Sequence, residues 1–154
     1  SHPSTRLALA ELEQLLEGNE SVLDVGCGSG ILSVAAARLG ATRVLGIDID
    51  PAAIEFTTRN AKSNGVAELV TAAAIPIEAA EGTFDVVISN MLASLLSSYA
   101  PNLVTMVRPG RRLVLSGLLS SQVDQVADSC APLRLLTTRH CDAGEGDWVS
   151  VTLG

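Results

Sequence analysis

Aromatic residues are scarce, with one Trp, one Tyr and two Phe in 154 residues. Apolar residues still make up 47% of the chain. They are mostly Ala, Leu and Val, a mixture that suits helices packed on a sheet. Cysteine is rare too. Cys27, Cys130 and Cys141 are odd in number and form no C-x-x-C pair, which argues against a disulfide framework or a zinc site, and no metal ligand set is expected. A reducing, cytoplasmic location fits that usage. Basic residues are outnumbered, 10 Lys and Arg against 17 Asp and Glu, for a net charge of −7. Proteins that hold nucleic acid through its phosphates are normally basic, so direct nucleic-acid binding is not expected. A basic protein or a cationic small molecule is the easier partner. No apolar run approaches the roughly 18 residues of a membrane span. No long apolar block follows a basic start, so neither a signal peptide nor a membrane segment is expected. Nothing in the sequence specifies an oligomeric state.

What is present is an alternation of short apolar runs with amphipathic stretches. That pattern predicts an α/β domain with a mostly parallel, doubly wound sheet covered on both faces. The length suits one domain, 1–154, large enough for a core without staples. Helices are expected over 5–17, 31–39, 51–63, 92–107 and 120–129. The fourth is expected to break near Tyr99-Ala100-Pro101. Strands are expected over 21–25, 43–47, 68–72, 84–89 and 112–117, and 133–140 with 148–153 reads as a closing antiparallel pair. Asp50-Pro51 is a strong helix start, because Asp caps and Pro is pre-set for the first helical position. Arg108-Pro109-Gly110 reads as a turn, and 73–82 as a loop without pattern.

The segment Asp24-Val25-Gly26-Cys27-Gly28-Ser29-Gly30 carries the chemistry. A strand runs into G-x-G-x-G and then into a helix. Sharp turning and close approach of a ligand to the backbone require side chains to be absent at Gly26 and Gly28, and Gly30 lets the next helix pack tightly. The dinucleotide fingerprint is G-x-G-x-x-G. Counted from Gly26 its last glycine would fall on Ile31, and counted from Gly28 on Ser33, so neither register completes it. A phosphate-binding loop would need Gly-Lys-Ser/Thr, which is missing. Asp48 ends the second strand, where a carboxylate can accept both hydroxyls of a ribose.

The compressed glycine loop resembles the first motif of class I methyltransferases that use S-adenosylmethionine (SAM), a cofactor with a free ribose diol and no phosphate. Over Gly26 to Asp50 the chain is similar to the PrmA-type ribosomal protein methyltransferases, which act on amino groups of the eleventh protein of the large ribosomal subunit. Five further stretches carry the resemblance. His2-Pro3-Ser4-Thr5-Arg6-Leu7 resembles that family's H-P-T-T-x-L segment. Leu45-Gly46-Ile47-Asp48-Ile49-Asp50-Pro51 is similar to its second-strand motif. Val87-Ile88-Ser89-Asn90-Met91-Leu92-Ala93 looks like its V-V-A-N-I-L-A. Leu115-Ser116-Gly117-Leu118-Leu119 and Gly146-Asp147-Trp148-Val149 also correspond. The resemblance implies a seven-stranded class I methyltransferase fold and SAM contacts from Thr5, Gly26, Asp48 and Asn90. Gly28, Gly30 and Asp24 join them through the loop. Thr5 would close over the methionine end, and Asn90, the one catalytic candidate, would orient the target amine with its carbonyl. Asp24 would either reach the methionine end through water or bond backbone amides of the loop. No separate substrate-recruiting domain like that family's is expected within residues 1–154. Two further departures are the lack of an acidic residue in Thr71-Ala72-Ala73-Ala74, where relatives contact adenine, and the lack of proline after Asn90.

The implied reaction is methyl transfer to an amino group of a ribosomal protein-like substrate. Proximity and orientation can supply about 7–11 kcal/mol. Deprotonating a lysine at neutral pH costs roughly 4–5 kcal/mol, and the proton is expected to leave through solvent. Alternatives are a small-molecule methyltransferase and a SAM-binding regulatory module without turnover. A NAD-dependent oxidoreductase fits the glycine spacing worst. Other residues have plainer readings. Cys27 is a small loop residue, His2 either a proton shuttle or a flexible terminal residue, and His140 and Cys141 strand-end residues. Asp50 is a cap, Trp148 core, and Arg108, Arg111 and Arg112 a solvated face.

Overall fold

The computed structural model describes residues 2–154. Seven strands form one sheet: β1 (Ser21–Val25), β2 (Arg43–Ile47), β3 (Val70–Ala73), β4 (Phe84–Asn90), β5 (Val107–Leu119), β6 (Leu135–His140) and β7 (Trp148–Leu153). Their order is β3-β2-β1-β4-β5-β7-β6. The first five run parallel and β7 pairs antiparallel with both β5 and β6. This is the expected doubly wound sheet with its closing antiparallel pair.

Alternation along each central strand feeds two cores, because successive side chains point to opposite faces. Val22, Ile88 and Val114 enter one core together with Ala8 and Leu12 of α1 (Pro3–Leu15), residues of α2 (Ile31–Arg38), and Ala61 of α3 (Pro51–Ser63). Leu23, Val87, Leu113 and Leu115 enter the other, against Leu96 and Leu103 of α4 (Ala93–Thr105) and Val126 of α5 (Val123–Asp128). Strands buried on both faces read as continuous apolar runs, which is why β1 and β4 were legible as strands without a polar alternation.

Five local expectations are corrected. Helix α1 begins at Pro3, not Thr5, because His2 caps it: its Nδ1 accepts the Ser4 amide at 3.1 Å. Helix α4 runs unbroken through Pro101. Pro101 is exposed, so water can serve the carbonyl that proline leaves without an amide partner. Arg108-Pro109-Gly110 lies inside β5, as an irregularity opposite Phe84 and Val86 where the register shifts. The helix expected over 120–129 starts as a short 3-10 turn, Ser120–Gln122, before α5. The unpatterned loop also holds structure: Ile77–Ala79 is a 3-10 turn and Ile77 is buried.

The chain leaves β1 toward β2 and β3, then crosses back to β4 on the other side of β1. That reversal opens a crevice beyond the carboxyl ends of β1, β2 and β4, the usual ligand position in open α/β sheets.

Candidate active site

Gly26, Asp48 and Asn90 stand at the carboxyl ends of these three strands. The backbone after β1 folds tightly over β2: the amides of Gly26 and Cys27 both donate to the Ile47 carbonyl, at 2.8 and 3.0 Å. Gly30 ends the loop at φ 85°, and a Cβ there would lie 2.8 Å from Thr57 Cα. Only glycine satisfies both the left-handed backbone and that approach. The loop is held from α3. Thr57, fully buried, donates to the Gly28 carbonyl at 3.2 Å, and Asn60 Nδ2 donates to the Ser29 carbonyl at 2.6 Å. Neither Thr57 nor Asn60 stood out in the sequence, since both look like ordinary residues of an amphipathic helix.

Asp48 is half-buried beside this loop. Its Oδ2 accepts the Gly28 amide at 3.1 Å and its Oδ1 the Asp50 amide at 3.0 Å. Each carboxylate oxygen keeps a further lone pair, so the side chain is oriented yet able to accept a pair of hydroxyls. Asp24 is buried beneath the loop, with its Oδ2 accepting the Ser33 hydroxyl at 2.7 Å. Burial pushes its carboxyl up to about 6, with the bond to Ser33 opposing the shift and the charge of Asp48 adding to it.

A cavity of about 310 Å³ opens between these elements, lined by Gly26, Asp48, Ile49, Ile77, Met91 and Tyr99 among others. That volume is at the lower end for small-molecule sites, and its mostly apolar wall with a single carboxylate is typical of them. The lining residues Ile75, Pro76 and Ile77 come from the loop read as unpatterned. The signal available there was the pair of isoleucines flanking Pro76.

Thr5 and Asn90 meet at the other side of the loop, with Asn90 Nδ2 donating to Thr5 Oγ1 at 3.3 Å. Both are half-buried. The neighbouring aromatic is not core as expected: Trp148 is half-buried, its ring edge-on to His2 with centroids 4.7 Å apart. His2 itself is a helix cap, a role distinct from both readings offered for it.

The remaining candidates lie elsewhere or serve packing. Cys27 is buried, and burial pushes its thiol up to about 11, so the thiolate a nucleophile needs is suppressed. Asp50 caps α3 by accepting the Ala52 amide at 2.9 Å. Arg108 and Arg111 are not a freely solvated face. They converge on buried Asp85 at 2.5 and 3.2 Å, at the amino-terminal ends of β1 and β4, where Asp85 also accepts the Ser21 amide. Arg112 folds back on the Gly110 and Arg111 carbonyls. His140 is exposed, and Cys141 donates to the Gly146 carbonyl.

Sheet order, loop and crevice together define a class I methyltransferase fold. Solved structures agree. A ribosomal protein L11 methylase from Lactobacillus delbrueckii subsp. bulgaricus superposes with a TM-score of 0.91 at 27% identity, covering 100% of this chain and 79% of that one. The N-methyltransferase NodS from Bradyrhizobium japonicum WM9, in complex with S-adenosyl-L-homocysteine, gives 0.78 at 19% identity, covering 99% and 88%. The family profile described as ribosomal protein L11 methyltransferase (PrmA) matches residues 1–153, and the chain belongs to that family. The ribosomal protein L11 methyltransferase of Dechloromonas aromatica (strain RCB) is 45% identical over 152 residues, which are 97% of this chain and 48% of that protein. The chain thus spans about half the length of such relatives.

Proposed function

We propose that this domain transfers methyl groups from SAM to amino groups of ribosomal protein L11. The observation that carries the reading is that Gly26, Asp48 and Asn90 stand together at the carboxyl ends of β1, β2 and β4, with Thr5 bonded to Asn90. The residues fit the cofactor. Asp48 is pre-oriented by two backbone amides to accept a ribose diol. Gly26 lines the cavity, with the Met91 side chain packed where a Cβ would lie, and the walls formed by Ile49, Ile77 and Tyr99 suit an adenine ring.

SAM supplies a sulfonium-bound methyl group that needs no covalent help from the protein. The chain's work is placement and dehydration. Thr5 closes the methionine end, and Asn90 Oδ1 accepts a hydrogen bond from the incoming amine, aligning its lone pair. The half-buried surroundings of Asn90 favour the neutral amine over its ammonium, since desolvation disfavours the charged form. The proton leaves through solvent. The acidic balance of the chain, −7 overall, favours a basic target such as a ribosomal protein. A cytoplasmic location follows from that target, and all three cysteines are free, as a reducing compartment requires. No helix among the described residues is long and apolar enough to cross a membrane.

Calorimetric titration with SAM and with NAD, followed by mass spectrometry of purified L11 incubated with the domain and SAM, tests the reading. SAM binding and methyl-sized increments on L11 are expected. Binding of NAD without SAM would overturn the cofactor, and unmodified L11 at saturating SAM would overturn the substrate.

A further inference from the structure

The stretch Leu115-Ser116-Gly117-Leu118-Leu119 at the end of β5 touches neither the glycine loop nor Asp48 in any bond described above. It nevertheless meets both halves of the Thr5–Asn90 contact. The Ser116 hydroxyl, fully buried, donates to the carbonyl of Ser4 in the first turn of α1 at 2.7 Å. The Ser116 carbonyl accepts the amide of Met91, the residue after Asn90, at 3.2 Å. Gly117 is the extra residue where the β5–β7 register shifts between Ser116 and Leu118. It sits at φ 93°, and a Cβ on it would lie 2.6 Å from the Met91 carbonyl oxygen and 3.1 Å from Asn90 Oδ1. Bulges beside active sites commonly re-aim a neighbouring group, and this one makes room for the end of β4.

We propose that Ser116 and Gly117 are positioning residues for the site, with Ser116 seating Thr5 through α1 and Gly117 seating Asn90 through the Met91 carbonyl. Helix α1 comes from the start of the chain, and β4 ends 85 positions after Thr5. Neither can place its side chain against the other alone. One residue of β5 bonds both backbones, so the separation of Thr5 from Asn90 is set by β5. The assignment rests on the SAM site proposed above, because Thr5 matters to affinity only if it closes over the cofactor.

A double-mutant cycle on SAM affinity, read by calorimetry without any methyl acceptor, separates the two ideas. Ser116→Ala is close to isosteric and is expected to keep the thermal midpoint near wild type. It should weaken SAM about fivefold, the equivalent of one hydrogen bond. In a Thr5→Ala background the same change should have almost no effect, because the residue it acts through is gone. Equal losses in both backgrounds, or no loss from Ser116→Ala while Thr5→Ala weakens SAM, would overturn the positioning role. Unchanged affinity in Thr5→Ala itself would overturn the placement of the cofactor over Thr5, and the positioning role with it. Gly117→Ala is the second arm. It is expected to lower turnover on L11 by more than it lowers SAM affinity, and losing both equally would count against a role exerted through Asn90.

Discussion

Asn90 Nδ2 donates to Thr5 Oγ1 at 3.3 Å, joining the end of β4 to the first turn of α1. The bond uses the amide nitrogen of Asn90 and so turns its carbonyl oxygen away from Thr5. That oxygen lies beside Gly117, where a Cβ would come within 3.1 Å of it, so the direction of the side chain is fixed from both sides.

Asn90→Ala is therefore expected to lower kcat for methylation of L11 about 100-fold, the scale of a misplaced reacting group. SAM affinity should change far less. Steady-state kinetics with separate titration of SAM checks this, and wild-type turnover would exclude the role.

Removing the Asp48 carboxylate should act on binding. Hydrogen bonds to a charged group are worth about 1.5–3 kcal/mol, so Asp48→Ala should weaken SAM by roughly 10- to 150-fold. The Gly28 amide would lose its acceptor as well. Asp48→Asn should recover part of the affinity, since one oxygen remains. Equal affinity of wild type and Asp48→Ala for SAM, read by calorimetry, would remove the ribose assignment.

Asp24 makes stability depend on pH in an unusual direction. Its carboxyl ionises near 3.8 in an unfolded chain and near 6 in the folded one. Between those values the folded state holds the proton more tightly, so stability falls as pH rises through the window and the loss is complete above about 6. Asp24→Asn keeps an oxygen for Ser33 and avoids the buried charge. It should be more stable than wild type at pH 8 by about 2–3 kcal/mol. Urea unfolding of both proteins at pH 4 and pH 8 should show the curves separate at the higher pH and approach one another at the lower.

Glu11 of α1 is buried and bonded to Arg139 of β6 at 2.6 Å and to Thr152 of β7 at 2.8 Å. Arg139→Ala would strand the carboxylate beside a single hydroxyl. A loss of about 1–2 kcal/mol is expected, below the scale for a fully buried pair because the Arg139 side chain is partly exposed and screened by solvent. Thermal unfolding would show it as a lower midpoint, and an unchanged midpoint would exclude that function for the pair.

Gly30→Ala tests the loop. The left-handed backbone and the 2.8 Å approach to Thr57 Cα leave no room for a methyl group. Because the opposing Thr57 Cα is backbone, the strain cannot be relieved by rotating a side chain. SAM affinity should fall at least tenfold, on the scale of 1.4 kcal/mol per decade, together with the unfolding midpoint.

Much of the fold was readable because its signals are local. Strands β1 and β2 and helix α3 carry their own apolar runs, Gly stops and an Asp-Pro start, so their limits in the structure are those expected. The errors fall where distant contacts decide. Pro101 reads as a breaker, yet the packing of Leu96 and Leu103 carries α4 through it. Arg108-Pro109-Gly110 reads as a turn, yet pairing with β4 draws it into β5. The arginines beside it read as solvated, because Asp85 is more than twenty positions away and its burial is invisible in the sequence.

The sequence by itself determined the class of site: glycine spacing and a carboxylate at the end of the next strand are demands of a ligand on a nearby stretch of backbone. Tertiary structure alone decided how that site is held. Thr57 and Asn60 grip the loop from α3, the 73–82 segment supplies the apolar wall, and β5 spaces Thr5 from Asn90. These relations join segments far apart in the chain, and nothing local selects them. They exist only once burial of both sheet faces has fixed where each helix lies.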